Sequence, residues 1–413
     1  MQWSSRAMLR LLTENTLDRE ERIMAEWLKT ALIDIVELIG GGTPKTSKAE
    51  YWGGNINWLS VKDFNNENRY VYSTEKTITE EGLNNSSTKL LKKDDIIISA
   101  RGTVGELAMI PFPMAFNQSC YGIRAKEGID SIFLYYLIKN SVRKLKAITH
   151  GSVFDTITRD TFANIEVAIP DIKTQHRIAK MLADIDDKVE NNQRINNNLE
   201  QQAQAIFSNE FLTLKTLPDG WQQARLIDIA DYLNGLAMQK YRPTVDETGI
   251  PVLKIKELRQ GCCDDNSELC SQNIKSEYII HNGDVIFSWS GSLLVDFWCG
   301  SICGLNQHLF KVTSNKYDKW FYYAWTKHHL NRFIAVAADK ATTMGHIKRD
   351  ELSKAEVLIP NEADYKRIGA LLQPIYDLII ATRIENKKLA ETRDTLLPKL
   401  MSGGIDISEV ECE

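Results

Sequence analysis

The spacing of apolar residues along the chain predicts two kinds of segment. Short apolar runs bounded by turn residues, such as DIIISA at 95–100 and DVIFSW at 284–289, are typical of buried β-strands. Two segments of about forty residues, from near Lys173 to Glu210 and from near Tyr365 to Leu400, have helical periodicity instead. One further helical stretch interrupts the strands of each half, at 131–148 and 319–337. The pattern indicates an α+β protein with two β-rich regions and two long helices.

The same order of segments occurs twice. ITRDTFANIEVAIP at 157–170 matches IKRDELSKAEVLIP at 347–360 at seven of fourteen positions, displaced by 190 residues. Trp27 and LIDI at 32–35 recur as Trp221 and LIDI at 226–229, and Asn117-Gln118 recur as Asn306-Gln307. Small changes of displacement indicate loops of different length on a common scaffold. In each half, Arg-Asp at 159–160 or 349–350 is expected to begin a short helix that leads into the last strand.

The long helices carry a narrow apolar stripe in which spacings of three and four alternate, as in a coiled coil. The predicted seam consists of Leu182, Ile185, Val189, Asn192, Asn196, Leu199, Leu372, Ile375, Ile379, Thr382, Asn386 and Leu389. Both stripes become polar near the middle, where a buried polar residue fixes register at a cost in stability. We expect the two helices to pair antiparallel, although each helix packing only on its own domain would also produce an apolar stripe.

Helices of forty residues are roughly 60 Å long. A pair of them would hold two domains apart under pseudo-twofold symmetry, which suits an elongated, two-part target such as duplex DNA with two half-sites. The predicted division is an N-terminal extension at 1–23, a first domain at 24–170, a central helix at 171–214, a second domain at 215–360, a C-terminal helix at 361–402 and a tail at 403–413.

Composition narrows the class of protein. The 413 residues carry a formal net charge of −5, which weighs against a protein that coats DNA but not against one with a local basic face. No run approaches eighteen apolar residues and no secretory signal is evident, so we expect no membrane partner and a cytoplasmic location. Seven cysteines lack zinc-ligand spacing, so we expect free thiols and no metal site.

Catalytic motifs are missing from the sequence. GGGTPKTSK at 40–48 does not have the order of a phosphate-binding loop, and the chain contains no Pro-Pro dipeptide of the kind expected in a DNA amino-methyltransferase. PDIK at 170–173 faintly resembles a nuclease element, but no partner for it is apparent. The carboxylates of ADIDDK at 183–188 are expected to form a solvated helix face. We therefore predict no catalytic residues.

Several motifs together resemble the specificity subunit of type I restriction-modification systems. They include DDIIISARGTVGELAMIP at 94–111, QHRIAKMLADIDDKVE at 175–190 and TRDTLLPKLMSGGID at 392–406. The resemblance implies a non-catalytic protein in which two target-recognition domains read the halves of an asymmetric, interrupted duplex DNA sequence. It also implies partners: two methyltransferase subunits that use S-adenosylmethionine, and restriction subunits that use ATP and Mg²⁺. No cofactor is expected on this chain itself.

Candidate DNA-binding residues follow from chemistry, since Arg and Lys recognise guanine and Asn and Gln recognise adenine from loops on a rigid sheet. In the first domain they are Lys45, Lys48, Arg101, Asn117, Gln118, His150 and Ser152. In the second they are Gln239, Lys240, Tyr241, Ser290, Ser292, Asn306, Gln307, His308, Lys340 and Thr343. Each also fits a structural role in a turn, above all the asparagines that both domains share at 117 and 306.

Two other functions remain compatible with the sequence. A two-domain adaptor could bind another polymer and use the helices as a spacer. A stand-alone nuclease would depend on PDIK alone.

Overall fold

The computed structural model describes residues 27–66, 68–148, 156–339, 347 and 349–407, without the side chains of 144–148. The chain divides into two compact units. Unit 1 comprises the residues up to Glu190 and those from Leu389 onward, and unit 2 is Asn191–Lys388. The predicted extension at 1–23 lies outside the described residues.

The described residues of unit 1 form three sheets. Its strands are β1 Leu28–Ala31, β2 Val36–Gly40, β3 Trp52–Leu59, β4 Lys76–Ile78, β5 Leu90–Leu91, β6 Ile96–Ser99, β7 Leu107–Met109, β8 Met114–Phe116, β9 Cys120–Ala125 and β10 Glu166–Ile169. An antiparallel sheet has the order β2-β9-β6-β7, and a mixed sheet has the order β4-β3-β8-β5 with β3 and β8 parallel. β1 and β10 form a two-stranded antiparallel sheet.

Unit 2 repeats this topology strand for strand. Its strands are β11 Gln222–Arg225, β12 Asp231–Asn234, β13 Ile250–Leu253, β14 Leu269–Cys270, β15 Ile279–Ile280, β16 Val285–Ser288, β17 Leu294–Phe297, β18 Cys303–Leu305, β19 Leu309–Thr313 and β20 Glu356–Ile359. The sheets have the orders β12-β19-β16-β17, β14-β13-β18-β15 and β11-β20. The parallel pair is β13 with β18.

Two of the described helices have 36 residues or more, and the others have 18 or fewer. The helices are α1 Glu80–Asn84, α2 Ser131–Ile148, α3 Arg159–Asn164, α4 Ile172–Phe207, α5 Leu226–Ile229, α6 Ile255–Gln260, α7 Lys319–His328, α8 Leu330–Asp339, α9 Asp350–Ser353 and α10 Glu362–Met401. α4 continues as one π-helical turn, Ser208–Leu212. No helix in the described ranges is long and apolar enough to cross a membrane.

The unbroken apolar run of β6 is explained by burial on both of its faces. Ile96 and Ile98 contact the core formed with α2, whereas Ile97 belongs to the core between the two four-stranded sheets. The same division holds for β16, where Phe287 faces the helical core and Ile286 faces the other sheet. A strand buried on two faces has no polar alternation, which is why these segments were recognisable in the sequence.

The repeated fourteen-residue segment has equivalent contacts in both units. Arg159 Nη2 donates to the Leu38 carbonyl at 3.3 Å, and Arg349 Nη2 donates to the Tyr232 carbonyl at 3.1 Å. The short helix α3 begins at Arg159 and α9 begins one residue after Arg349, and they lead into the last strands, β10 and β20. The expectation of a short helix before the last strand is confirmed, and the shared residues of the repeat are scaffold residues.

α4 and α10 pack against each other. In unit 1, the buried Leu182 of α4 and Leu397 of α10 belong to one hydrophobic core. In unit 2, Asn192 Nδ2 donates to Asn386 Oδ1 at 2.8 Å, and Thr382 Oγ1 donates to Asn196 Oδ1 at 2.6 Å. Residue numbers rise along one helix as they fall along the other, so the pair is antiparallel. The prediction of two repeated β-rich domains joined by two long, packed helices is confirmed.

Two expectations from the sequence were wrong. The stretch at 319–337 is not one helix, because α7 and α8 meet at His329, whose Nε2 lies 2.7 Å from the Glu356 carbonyl. The expectation of a solvated face for the carboxylates of ADIDDK is wrong for one of the three, whereas Asp184 and Asp187 are exposed. Asp186 is buried, accepts from Tyr136 Oη at 2.6 Å and pairs with Arg393 at 2.8 Å.

Candidate nucleic-acid interface

Backbone hydrogen bonds bring three loops of unit 1 together at one edge. Gly42 N donates to the Phe116 carbonyl at 2.9 Å, which places the glycine-rich loop at 41–48 beside the turn at 117–119. Ala100 N donates to the Ser119 carbonyl at 2.8 Å, and Ile157 N donates to the Ala100 carbonyl at 2.9 Å. The loop that carries Arg101 therefore lies next to the same turn.

Unit 2 forms the same edge with equivalent bonds. Leu236 N donates to the Leu305 carbonyl at 2.9 Å, and Ile347 N donates to the Trp289 carbonyl at 3.1 Å. In each unit a glycine permits the close approach: a Cβ on Gly41 would lie 2.1 Å from the Asn117 carbonyl oxygen, and one on Gly235 would lie 2.2 Å from that of Asn306. Glycine is required at both positions because any side chain would collide with backbone.

The predicted residues of unit 1 differ in whether their side chains contact other residues of the protein. Lys45, Lys48, Arg101 and Gln118 are exposed. Lys48 Nζ lies 3.5 Å from Glu50 and 5.0 Å from the centre of the Tyr51 ring, and its contacts with Tyr51 and Glu50 raise the pKa of this lysine. Gln118 Oε1 accepts a hydrogen bond from Thr43. No hydrogen bond or ion pair among the described residues involves the side chains of Lys45 or Arg101.

In unit 2, one group of predicted residues is at the surface. Gln239, Lys240 and Tyr241 are exposed around the turn Met238–Lys240. Ser292 is exposed and its hydroxyl accepts from Arg259 at 3.3 Å. Gln239, Lys240 and Tyr241 follow Leu236, so their loop corresponds to the glycine-rich loop of unit 1. Ser292 lies in the loop between β16 and β17, which corresponds to the loop of Arg101.

Other predicted residues of unit 2 are partly or fully buried. Gln307 and His308 are half-buried, with Gln307 Nε2 and His308 Nε2 3.4 Å apart. Ser290 and Asn306 are 6% and 4% exposed, so neither presents a side chain at the surface. Burial favours a structural role for both. His150, Ser152, Lys340 and Thr343 lie outside the described residues.

The shared asparagines have matching backbone contacts. Asn117 N donates to the Leu59 carbonyl at 3.0 Å, and Asn306 N donates to the Leu253 carbonyl at 3.1 Å. Their side-chain oxygens accept from the amides two residues on, of Ser119 and His308 respectively. An asparagine that bonds its own turn in this way is a turn-former. The suggestion that these two residues are structural therefore has a geometric basis.

Sequence reasoning did not include Trp289 among the residues of this edge. Its Nε1 donates to Asn234 Oδ1 at 3.1 Å, and its ring centre lies 6.1 Å from that of His308. Ala100 occupies the equivalent position of unit 1. The signal that could have revealed Trp289 is the large change of side chain at one position of the repeat.

The described residues offer little for catalysis or metal binding. No group of three or more His, Cys, Asp or Glu in these ranges could hold a metal ion. The six cysteines within them are free thiols, and a hydrogen bond from Cys303 lowers the pKa of Cys263. Asp171 of PDIK begins α4: its Oδ1 accepts from Lys173 N at 2.9 Å and Thr174 N at 3.2 Å. These contacts with Thr174 and Lys173 lower the pKa of Asp171, and they are those of a helix N-cap.

Comparison with known proteins gives the same family for both halves of the chain. A family model described as "Type I restriction modification DNA specificity domain" matches residues 24–201 and 218–391. The chain is 29% identical to the type I restriction enzyme MjaIX specificity subunit of Methanocaldococcus jannaschii in an alignment 417 residues long. The alignment covers 94% of this chain and 96% of that protein. It is 33% identical to the EcoR124I/EcoR124II specificity subunit of Escherichia coli over 169 residues, 39% of this chain and 41% of that one.

A solved structure shares the fold. The S subunit of a type I restriction-modification system from M. genitalium aligns with a TM-score of 0.57 at 15% identity, over 94% of this chain and 97% of that one. The family model covers most of the chain and both repeats. The chain belongs to the DNA specificity subunits of type I restriction-modification systems, a family that does not itself catalyse a reaction.

Proposed function

We propose that each unit reads one half of an interrupted, asymmetric duplex DNA sequence through the loops at its edge. The observation that carries this proposal is an equivalent backbone frame that presents different side chains. In unit 1 the amide of Ile157 donates to the carbonyl of Ala100, and the residue after Ala100 is the exposed Arg101. In unit 2 the amide of Ile347 donates to the carbonyl of Trp289, and the residue after Trp289 is the buried Ser290. A common frame with different side chains is what the reading of two unlike half-sites requires.

Phosphate contacts would come from the cations of the same loops. Lys45 and Arg101 of unit 1 and Lys240 of unit 2 are exposed at these edges. Guanidinium and ammonium groups contribute affinity through phosphates and, where they reach base edges, select guanine. The formal net charge of −5 does not prevent this, because the field that matters is local.

The proposed assembly is a complex of this chain with two methyltransferase subunits and with restriction subunits in the cytoplasm. S-adenosylmethionine, ATP and Mg²⁺ would be used by those partners. In this arrangement the paired α4 and α10 set the gap between the half-sites, since their length is fixed by the number of helical turns.

The test uses the complex of this chain with its methyltransferase partner. Single-molecule sequencing of methylated genomic DNA should give a motif with two specified halves and a constant gap. Purified complex should bind a duplex with that motif more tightly than one with either half scrambled, and the affinity should fall linearly on a log–log plot against salt. Absence of salt-sensitive duplex binding would favour the adaptor function instead.

A separate experiment addresses nuclease activity by this chain. Because Asp171 caps α4, Asp171→Ala should leave DNA cleavage by the whole complex unchanged and cost about 1 kcal/mol of stability. Loss of cleavage from a complex that still assembles and methylates would support the nuclease function.

A further inference from the structure

We propose that the segment Asn84–Lys89 is a further specificity-determining loop of unit 1, which contacts the same half-site as the loops at 41–48 and 100–105. The inference rests on the proposed function and deepens it. The segment was not among the candidates from the sequence, where NNSSTK reads as an ordinary polar turn.

Contacts with two of the edge loops place the segment at the edge. Thr88 is 3% exposed, and its Oγ1 donates to the Phe116 carbonyl at 2.8 Å, the carbonyl that also accepts from Gly42 N. A Cβ on Gly42 would lie 2.3 Å from both Ser87 Oγ and Thr88 N. The segment and the glycine-rich loop therefore touch at backbone distance, so the segment lies at the same edge as the loops proposed to contact the duplex.

The side chains of the segment fall into two classes. Asn85 Nδ2 and Ser86 Oγ donate to carbonyls of α1, at 2.9 Å to Glu81 and 2.7 Å to Gly82. Asn84, Ser87 and Lys89 are exposed, and within the described part of the chain their side chains make no hydrogen bond or ion pair. The first class holds the loop in place, and the second is available to a ligand.

The contrast with Lys48 and Gln118 strengthens this assignment. Lys48 contacts Glu50 and Tyr51, and Gln118 accepts from Thr43, so both would have to exchange an internal partner for DNA. Asn84, Ser87 and Lys89 have no such partner to lose. A polar group that is already solvated and unpaired binds a base edge or phosphate without that cost.

The proposed recognition role belongs to a segment of unit 1. The sheet orders make β15 of unit 2 the counterpart of β5, so the counterpart of Asn84–Lys89 is 273–278. Its first residue, Asn273, donates through Nδ2 to Glu247. Substitutions within Asn84–Lys89 should therefore affect one half-site only.

Chemistry assigns a role to each free side chain. The amide of Asn84 suits adenine, which offers an adjacent donor and acceptor in the major groove, and the Ser87 hydroxyl can donate to or accept from a base edge. Lys89 is a point charge suited to a phosphate.

The test compares variants of the full complex with its methyltransferase partner. Binding is measured for duplexes in which each base pair of the mapped motif is replaced in turn. Asn84→Ala and Ser87→Ala should each reduce discrimination by about tenfold at positions within one and the same half-site. Lys89→Ala should weaken binding evenly across sequences and reduce the slope of log affinity against log salt by about one.

A matched control separates a DNA contact from a folding defect. Lys93→Ala removes an exposed charge just before β6, at the end of the strand opposite to Arg101. This variant should bind as the parent does, and every variant should keep full discrimination at the other half-site. Parent-like behaviour of Asn84→Ala, Ser87→Ala and Lys89→Ala would overturn the inference while the proposed function stands. A parent complex with no preferred duplex would overturn both.

Discussion

Asp186 and Arg393 form an ion pair in unit 1 whose side chains are each 5% exposed. Asp186 also accepts from Tyr136 Oη, and burial raises the pKa of that phenol well above its usual value. A buried pair tolerates the loss of one partner poorly, because the remaining charge has no compensation. Arg393→Met should therefore lower the free energy of unfolding by about 3–5 kcal/mol, measured by urea denaturation.

Removal of the whole network should cost less than removal of Arg393 alone. A triple variant with Arg393→Met, Asp186→Leu and Tyr136→Phe removes both charges of this ion pair and keeps the volume apolar, so it should recover most of the loss. As a control, Lys180→Met breaks the exposed pair with Asp184 on the same helix and should change stability by less than about 0.5 kcal/mol. A triple variant as unstable as the single one would contradict this account.

His329, at the junction of α7 and α8, makes unit 2 sensitive to pH. Burial lowers the pKa of His329 to about 4, from an ordinary value of 6.5. Between these values the unfolded chain binds a proton at His329 and the folded protein does not, so stability should fall as the pH is lowered through that window. The slope from this group is at most about 1.4 kcal/mol per pH unit.

Comparison with a variant isolates this histidine from the carboxylates. His329→Gln keeps an amide that can donate to the Glu356 carbonyl but cannot titrate. Its free energy of unfolding should depend less steeply on pH between 6.5 and 4 than that of the parent, with the two curves parallel above pH 7. Parallel curves throughout would show that His329 does not titrate as expected.

At the scale of elements, the polar centre of the α4–α10 pair favours register over stability. Asn192 donates to both Asn386 and Glu385, and Asn196 accepts from Thr382. Asn192→Leu combined with Asn386→Leu should raise the denaturation midpoint, because apolar seam residues stabilise helix pairs better. It should also broaden the set of gaps that the complex methylates, since leucines pack in more than one register. A lower midpoint would contradict the first expectation, and an unchanged gap the second.

The sequence predicted elements well where the cause was local. β6 and β16 were recognisable because burial on both faces makes them continuously apolar. None of the twelve predicted seam residues is exposed. The stripe could be predicted because the spacing of apolar residues along a helix is a local pattern. The repeat then identified the second copy of each element.

Prediction failed where the deciding partner is distant in sequence. Asp186 looked solvated because its partners, Tyr136 and Arg393, are 50 and 207 residues away. Gln118 looked available although Thr43, 75 residues away, holds its side chain. Ser87 was not among the predicted residues, and its contact with Gly42 spans 45 residues of sequence. Such contacts arise only when the loops are assembled, and no local pattern encodes them.

At the scale of the whole molecule, the proposed function assigns recognition and spacing to different parts of the chain. In that proposal, the loops that differ between the units select bases, and the two helices set the gap. A change confined to the helices should therefore alter the gap and nothing else.

Matched insertions in both helices test this separation. Seven residues with leucine at seam positions are added between Gln193 and Arg194 of α4, and seven between Ile384 and Glu385 of α10. Asn192 keeps its partner Asn386 and Asn196 keeps Thr382, because each pair lies wholly on one side of the insertions. Two added turns lengthen the helix pair by about 10 Å, or about three base pairs.

Methylation mapping should then report both original half-sites separated by a gap about three base pairs longer. The insertion in α4 alone is the control: it leaves seven residues without a partner on α10, so the complex should lose stability and methylate poorly. An unchanged gap in the double insertion would show that the helices do not measure the distance. A longer gap with an altered half-site would show that the helices also position the reading loops, and recognition and spacing would then be coupled through the contacts that α4 and α10 make with each core.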